Sequence, residues 1–173
     1  ERGFRFVYVG SLTNRKQPTL IVSAIEHLIS QGYDVKLDVI GDGPLRETIS
    51  AMVVKNSLQE HVQLHGQVGK PYPIIGSADA LILPSLSEGL SRAALEALHL
   101  GVPCVLRNVD GNAELLSDPA AGELFSSDVD LPRAMMEAAS RGRTRSTKLS
   151  LLPPSFRQSR AAMQYLQLIE GPA

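Results

Sequence analysis

Short apolar runs recur along the chain, and each is followed by a loop and then by helical periodicity. That alternation constrains the fold more than any other feature. Phe4 to Val9 alternates and is rich in aromatic and β-branched residues, which reads as a strand. Val35 to Ile40 and Val62 to His65 read likewise, and Gly122 to Phe125 is a further short strand. Ala78 to Leu83, closed by Pro84, and Cys104 to Leu106 are apolar runs of the kind that strands buried on both faces require. The helices between them carry their own punctuation. Pro18 sits at a first helical position, where its missing N–H costs little, and Ile21, Ile25, Leu28 and Ile29 form one face that ends at Gly32. Further helices are expected from Pro44 to about Lys55, Gly89 to Leu100, Asn112 to Ser117 and Leu131 to Ala139. Tyr72 to Ser77 reads as a short helix or turn. An irregular segment runs to about Pro154, and a last amphipathic helix is expected from Ser155 to Glu170. The pattern predicts an α/β domain over residues 1–173: an open, doubly wound parallel sheet with helices on both sides.

Composition supports one such domain and narrows its partners. The chain has 173 residues and is 43% hydrophobic, enough for a real core. Lys+Arg 17 against Asp+Glu 18 gives a formal charge of -1, so nothing favours nucleic acid or an anionic membrane. Arg141, Arg143, Arg145 and Lys148 are the one basic bias, and without interleaved aromatics they read as a solvated loop. The one cysteine, Cys104, excludes an internal disulfide framework, suits a reducing compartment and reads as a buried small hydrophobe rather than a nucleophile. No signal peptide and no run of ~20 apolar residues is present. The chain opens almost directly into a strand, as an excised domain does, so a preceding half is expected to be missing.

In such a sheet, ligands bind at the carboxyl ends of the strands. The loops of interest are therefore GSLTNRK, GDGP, GQVGK, PSLSEG and RNVDGN. Glycine lets backbone approach a ligand closely, and helix N-termini suit phosphate. One helix stands out. Leu90, Ala93, Ala94, Leu95, Ala97, Leu98 and Leu100 make it apolar around most of its circumference, yet it keeps Glu96. Arg92, Glu96 and His99 share one narrow face. Either Arg92 and Glu96 pair locally, for only ~0.2–0.5 kcal/mol, or Glu96 faces a cleft and accepts from vicinal hydroxyls. On a straight helix the eight-residue separation of Glu88 and Glu96 spans ~12 Å, about a ribose-to-hexose length. Glu88 also reads as an acid favoured by the helix dipole. GDGP is a strand-end turn and not a dinucleotide fingerprint, because Arg46 stands where a third glycine belongs. His65 and His99 lack metal-ligand spacing and read as a strand-end and a helix-face residue.

PSLSEGLSRAALEALHLGVPCV resembles the signature of the retaining, GT-B-type glycosyltransferases of the large GT4 group. Pro84, Ser85, Gly89, Ala97, Gly101 and Pro103 fit the pattern beside the two glutamates. VGSLTNRK, VIGDGPL, LHGQV and GNAELL resemble further landmarks of that family in the same order, from about Phe4 to Phe125. The resemblance implies the Rossmann-like C-terminal half of a GT-B fold, with an acceptor-binding N-terminal domain absent. It implies that Glu88 binds donor-sugar hydroxyls and that Lys16 neutralises the leaving diphosphate. Gly10 admits it, Gly89 and Leu90 present N–H groups, and Glu96 binds the ribose. Val68, after Gly66 and Gln67, lies beside the base, and Gly111 belongs to the loop facing the phosphates, with Glu114 at the family's acidic position. Ser11 replaces the family's usual arginine and Gln17 its usual glycine, with Arg15 as the nearby substitute cation. Lys16 otherwise reads as loop charge, and Glu114 as a solvated helix-start acid.

The expected parent is a hexosyltransferase with a nucleoside-diphosphate sugar as substrate, no cofactor and no metal. A glycan or lipid-linked acceptor would be reached through the missing domain, in polysaccharide or glycolipid synthesis. The expected location is cytoplasmic, with peripheral attachment of the full-length enzyme at the inner membrane face. Two other readings stay open: half of a nucleotide-sugar epimerase, and a non-catalytic nucleotide-binding partner subunit, which Ser11 favours.

Overall fold

Each strand forms where the sequence offers a β-branched or apolar run, and each is buried as such runs require. A computed structural model describes residues 2–145, 147–157, 167 and 169. Six strands, β1 (Phe4–Val9), β2 (Val35–Ile40), β3 (Val62–Gly66), β4 (Ala80–Leu83), β5 (Cys104–Arg107) and β6 (Gly122–Phe125), form one sheet in the order β3-β2-β1-β4-β5-β6. Every pairing is parallel, with β1 in unbroken register against β2 from Phe4 opposite Val35 to Val9 opposite Ile40. The helices are α1 (Pro18–Ser30), α2 (Arg46–Lys55), α3 (Tyr72–Ser77), α4 (Arg92–His99), α5 (Asn112–Leu115), α6 (Leu131–Thr144) and α7 (Pro154–Arg157). Right-handed crossovers that step one way from β1 and the other way from β4 put their helices on opposite faces. Accordingly α1 packs with α2 and α6, while α3 packs with α4. Ile21, Ile25 and Leu28 of α1, Leu95 and Leu98 of α4, and Met135 of α6 close the core over β1, β4 and β5. Among the described residues, no helix is long and apolar enough to cross a membrane.

Three expectations change. First, α4 begins at Arg92 rather than Gly89, because Ser91 caps it: its hydroxyl accepts from the N–H of Ala94 at 3.3 Å. Glu88 therefore lies in the preceding loop, and the helical ruler of ~12 Å between the two glutamates does not apply. Second, α6 runs on to Thr144, so Arg141 and Arg143 are helical. Third, the basic segment is docked rather than solvated. Arg143 lies 3.6 Å over the Phe4 ring and donates to the Arg2 carbonyl. Lys148 donates to the carbonyls of Gly76 and Ala78, and burial pulls its pKa down. The cause is close packing under β4: a Cβ on Gly142 would stand 2.0 Å from the Asp79 carbonyl. The expected last helix falls largely outside the described residues, with Pro154–Arg157 its described start.

Cys104 is fully buried, and burial pushes its thiol pKa up, which fits a packing role. His65 at the end of β3 meets the buried carboxylate of Asp38 at 2.7 Å.

Candidate functional site

β1 and β4 are neighbours in the sheet, but the chain leaves them in opposite directions. Their loops diverge above the carboxyl ends and leave a crevice at this topological switch point. The β1 loop carries a single turn of 3-10 helix, Asn14–Lys16, followed by Gln17 in the left-handed region at φ 53. That bend aims Lys16 across the crevice. The β4 loop carries Glu88. The two loops are stitched by the Leu86 N–H on the Arg15 carbonyl at 2.8 Å and by the Arg15 guanidinium on the Ser87 carbonyl at 2.9 Å.

Across this junction the Lys16 ammonium donates to both oxygens of Glu88, at 2.8 and 2.6 Å. Both side chains are mostly buried, at 15% and 10% exposure, so water screens their attraction only partly. They lie 72 positions apart in sequence. Beside them opens a cleft of about 330 Å³ lined by Gly10, Ser11, Lys16, Glu88, Leu90 and Glu96, among others. A second hollow of about 330 Å³ shares Val9, Gly10 and Ser11 and continues to Gly41, Asp42, Gln67 and Val68. The two form one elongated groove that bends at Gly10 and Ser11. A larger hollow of about 670 Å³ lies at the other end of β1–β3, where Arg5 donates to the Asp38 carboxylate at 3.4 Å.

Glu96 lies on α4 in the wall of the first arm, only 7% exposed. Tyr72 of α3 is within reach of its charge: burial raises the phenol pKa, Glu96 raises it further, and Arg92 opposes. Ser91, Arg92 and Ala93 bring the N-terminus of α4 to the same wall, where helix N–H groups favour an anion. Gly66 ends β3, two residues before Val68, and does not itself line the second arm. Arg15 and Gly89 line neither arm: the Arg15 guanidinium is taken by the Ser87 carbonyl, and Gly89 follows Glu88 in the loop. Gly111 lies on the facing β5 loop and lines neither arm. Glu114 is exposed in the first turn of α5.

Three contributors make contacts that were not legible in the sequence, although Asp110 lies in a loop expected to face the phosphates. The Tyr8 hydroxyl, under the groove floor, donates to the Ser11 carbonyl at 2.7 Å. Burial raises its pKa, with Glu88 adding and Arg15 opposing, so it stays a donor. Asp110, at φ 49, accepts the Glu88 N–H at 2.6 Å. Arg107 is buried behind the junction. Arg107 and Asp110 lie in the RNVDGN loop that the sequence marks at the end of a strand, but nothing there shows what they touch, and only the alternating apolar residues around Tyr8 hint that it points inward. Among the described residues, no three His, Cys, Asp or Glu side chains gather to hold a metal ion.

Fold and groove together define a class: a doubly wound domain with an elongated, anion-suited groove at its switch point. Comparison with known proteins makes this specific. The family model described as glycosyl transferases group 1 matches residues 1–142, and the chain belongs to that family. The UDP-Gal:alpha-D-GlcNAc-diphosphoundecaprenol alpha-1,3-galactosyltransferase of Escherichia coli is 30% identical over 131 residues, covering 73% of this chain and 34% of that protein. The alpha-D-kanosaminyltransferase of Streptomyces kanamyceticus is 26% identical over 118 residues, covering 67% of this chain and 31% of that one. Among solved structures, the lipopolysaccharide outer core galactosyltransferase WaaB superposes with a TM-score of 0.73 at 23% identity, over 84% of this chain and 42% of its own. The six-stranded sheet thus matches GT-B glycosyltransferase structures. The chain spans about a quarter to a third of the curated relatives' lengths.

Proposed function

We propose that this chain is the donor-binding, C-terminal half of a retaining GT-B glycosyltransferase of the GT4 group. The parent enzyme moves a hexose from a nucleoside-diphosphate sugar to a glycan or lipid-linked acceptor, without a metal or cofactor. The observation that carries the reading is the Lys16–Glu88 pair in the first arm of the groove, with Glu96 buried in the wall of the same arm. In the donor complex the diphosphate takes Lys16 and the N-terminus of α4, and Glu88 turns to the sugar hydroxyls. Glu96 accepts from the ribose, and the base reaches the arm that holds Val68. As the glycosidic bond to the diphosphate breaks, negative charge grows on the leaving oxygen, and Lys16 stabilises it there. The missing domain supplies the acceptor site, so the chain alone binds nucleotide and transfers nothing. Ser11, at the bend where the family places arginine, favours a second reading: a partner subunit that binds nucleotide without catalysis.

The test is a thermal-shift panel with UDP, GDP, ADP and their sugars, on wild type beside Glu96→Ala. A nucleotide at ~100 times its dissociation constant stabilises by ~2.7 kcal/mol, roughly 5–11 °C for a domain of this size. One base is expected to shift the wild type, with the shift largely lost in Glu96→Ala. No shift with any nucleotide, or a shift indifferent to Glu96, overturns the donor-site reading. Transfer by the chain alone overturns the division of labour, and nucleotide binding without transfer by the full-length protein selects the partner subunit.

A further inference from the structure

We infer that Arg107 is a positioning residue that holds Lys16 and Glu88 in register across the groove, an inference that rests on the donor-site reading above. Arg107 ends β5 and is only 8% exposed. Its Nε donates to the Pro84 carbonyl at 3.1 Å, where the loop that carries Glu88 leaves β4. Its Nη2 donates to Gln17 Oε1 at 3.4 Å, in the residue after Lys16, and to Asp128 Oδ1 at 2.7 Å. The Phe125 ring lies 4.8 Å beneath the guanidinium carbon. Its own carbonyl accepts from Asn112 Nδ2 at 2.9 Å, which fixes the loop carrying Asp110. Asp110 in turn takes the Glu88 N–H.

One buried cation therefore ties three loops that sequence keeps far apart. A buried guanidinium is costly to desolvate unless its donors are used, and here each named donor meets a separate chain segment. The planar fork makes this a geometric device: Nε and Nη2 point in fixed directions, so the Pro84 carbonyl and the Gln17 side chain are held at a set separation. Gln17 occupies a backbone conformation that favours glycine, and its side-chain bond to Arg107 helps to hold the bend that aims Lys16. Arg107 lines neither arm of the groove and acts only through these loops.

Arg107→Lys keeps the charge and loses the fork. Amide hydrogen exchange should speed up about tenfold or more in residues 10–17 and 84–90, while β1 and β2 keep their protection. Affinity for UDP, GDP or ADP, whichever binds the wild type, should fall about tenfold, while the matching monophosphate, held mainly by its nucleoside, binds as before. Asp128 is half exposed, so Asp128→Asn should fold and should move the same loops in the same direction to a smaller extent. If Arg107→Lys does not fold, Asp128→Asn decides. Unchanged exchange in both loops, a uniform rise across the whole sheet, or equal losses for di- and monophosphate overturns the inference. If no nucleotide binds the wild type, the donor-site reading fails, and the exchange data still decide whether Arg107 positions the loops.

Discussion

Lys16 and Glu88 neutralise one another across the groove, at 2.8 and 2.6 Å. On the proposed donor site, a diphosphate displaces a carboxylate before it takes the ammonium. The sign of one substitution follows. Glu88→Gln removes the competing anion, so the chain should bind a nucleoside diphosphate about three- to fivefold tighter, the worth of a partly screened ion pair. On the same proposed reading, the full-length enzyme should lose transfer, because Glu88 is the acceptor assigned to the sugar hydroxyls. Calorimetry with the diphosphate and a transfer assay separate the two effects. Weaker diphosphate binding would mean that Glu88 holds the bend together rather than competing for Lys16. Sequence made both residues visible as candidates. It could not show that they touch, because nothing local encodes a contact across 72 positions.

At the scale of elements, the groove floor is set by the join between the β1 and β2 loops. Gly10 N–H donates to the Ile40 carbonyl at 3.0 Å, Leu12 N–H to the Asp42 carbonyl at 2.9 Å, and Leu45 N–H to the Leu12 carbonyl at 2.9 Å. This join needs Gly41, whose φ is +134 and where a Cβ would stand 1.8 Å from the Gly10 carbonyl. Gly32 also has a positive φ, +87, but nothing lies within 4 Å of its Cβ position. Gly32→Ala should cost ~1–2 kcal/mol, the conformational penalty alone. Gly41→Ala adds the clash and should cost roughly 3 kcal/mol or more, about 6–12 °C in melting temperature. Thermal melts of the two variants test this, and equal losses would show that the join can slide apart. The GDGP turn was legible as punctuation. Its role as a buttress for the groove was not, because that depends on which loop lies beside it.

The whole molecule carries a pH dependence set by two buried strand residues, Cys104 of β5 and Tyr8 of β1. Burial raises the pKa of Cys104 from its ordinary 9.0 and of Tyr8 from its ordinary 10.0. Above those values the unfolded chain releases protons that the folded chain retains, so the unfolded state binds fewer protons and stability falls as pH rises. Stability from these two groups is complete below about pH 9 and erodes above it, by at most ~1.4 kcal/mol per pH unit for each group. Denaturation midpoints measured from about pH 8 to about pH 11 should fall in the wild type. Cys104→Ala should remove the earlier part of the decline and Tyr8→Phe the later part. A decline unchanged in both variants would place its source elsewhere.

The sequence by itself determined the order and type of the elements, the parallel sheet and the family. β1, β2, β6 and α3 begin and end where its periodicity placed them. These features are local: a strand or helix records its own buried face in its own residue spacing. Tertiary structure decided what local spacing cannot hold. It moved the start of α4 to the Ser91 cap, drew the basic segment onto Phe4 and the C-terminal end of α3, and buried Arg107 where three loops meet. Each depends on which segments the winding of the sheet makes neighbours. That winding brings the loops of β1 and β4 together at the point where the chain turns away from both.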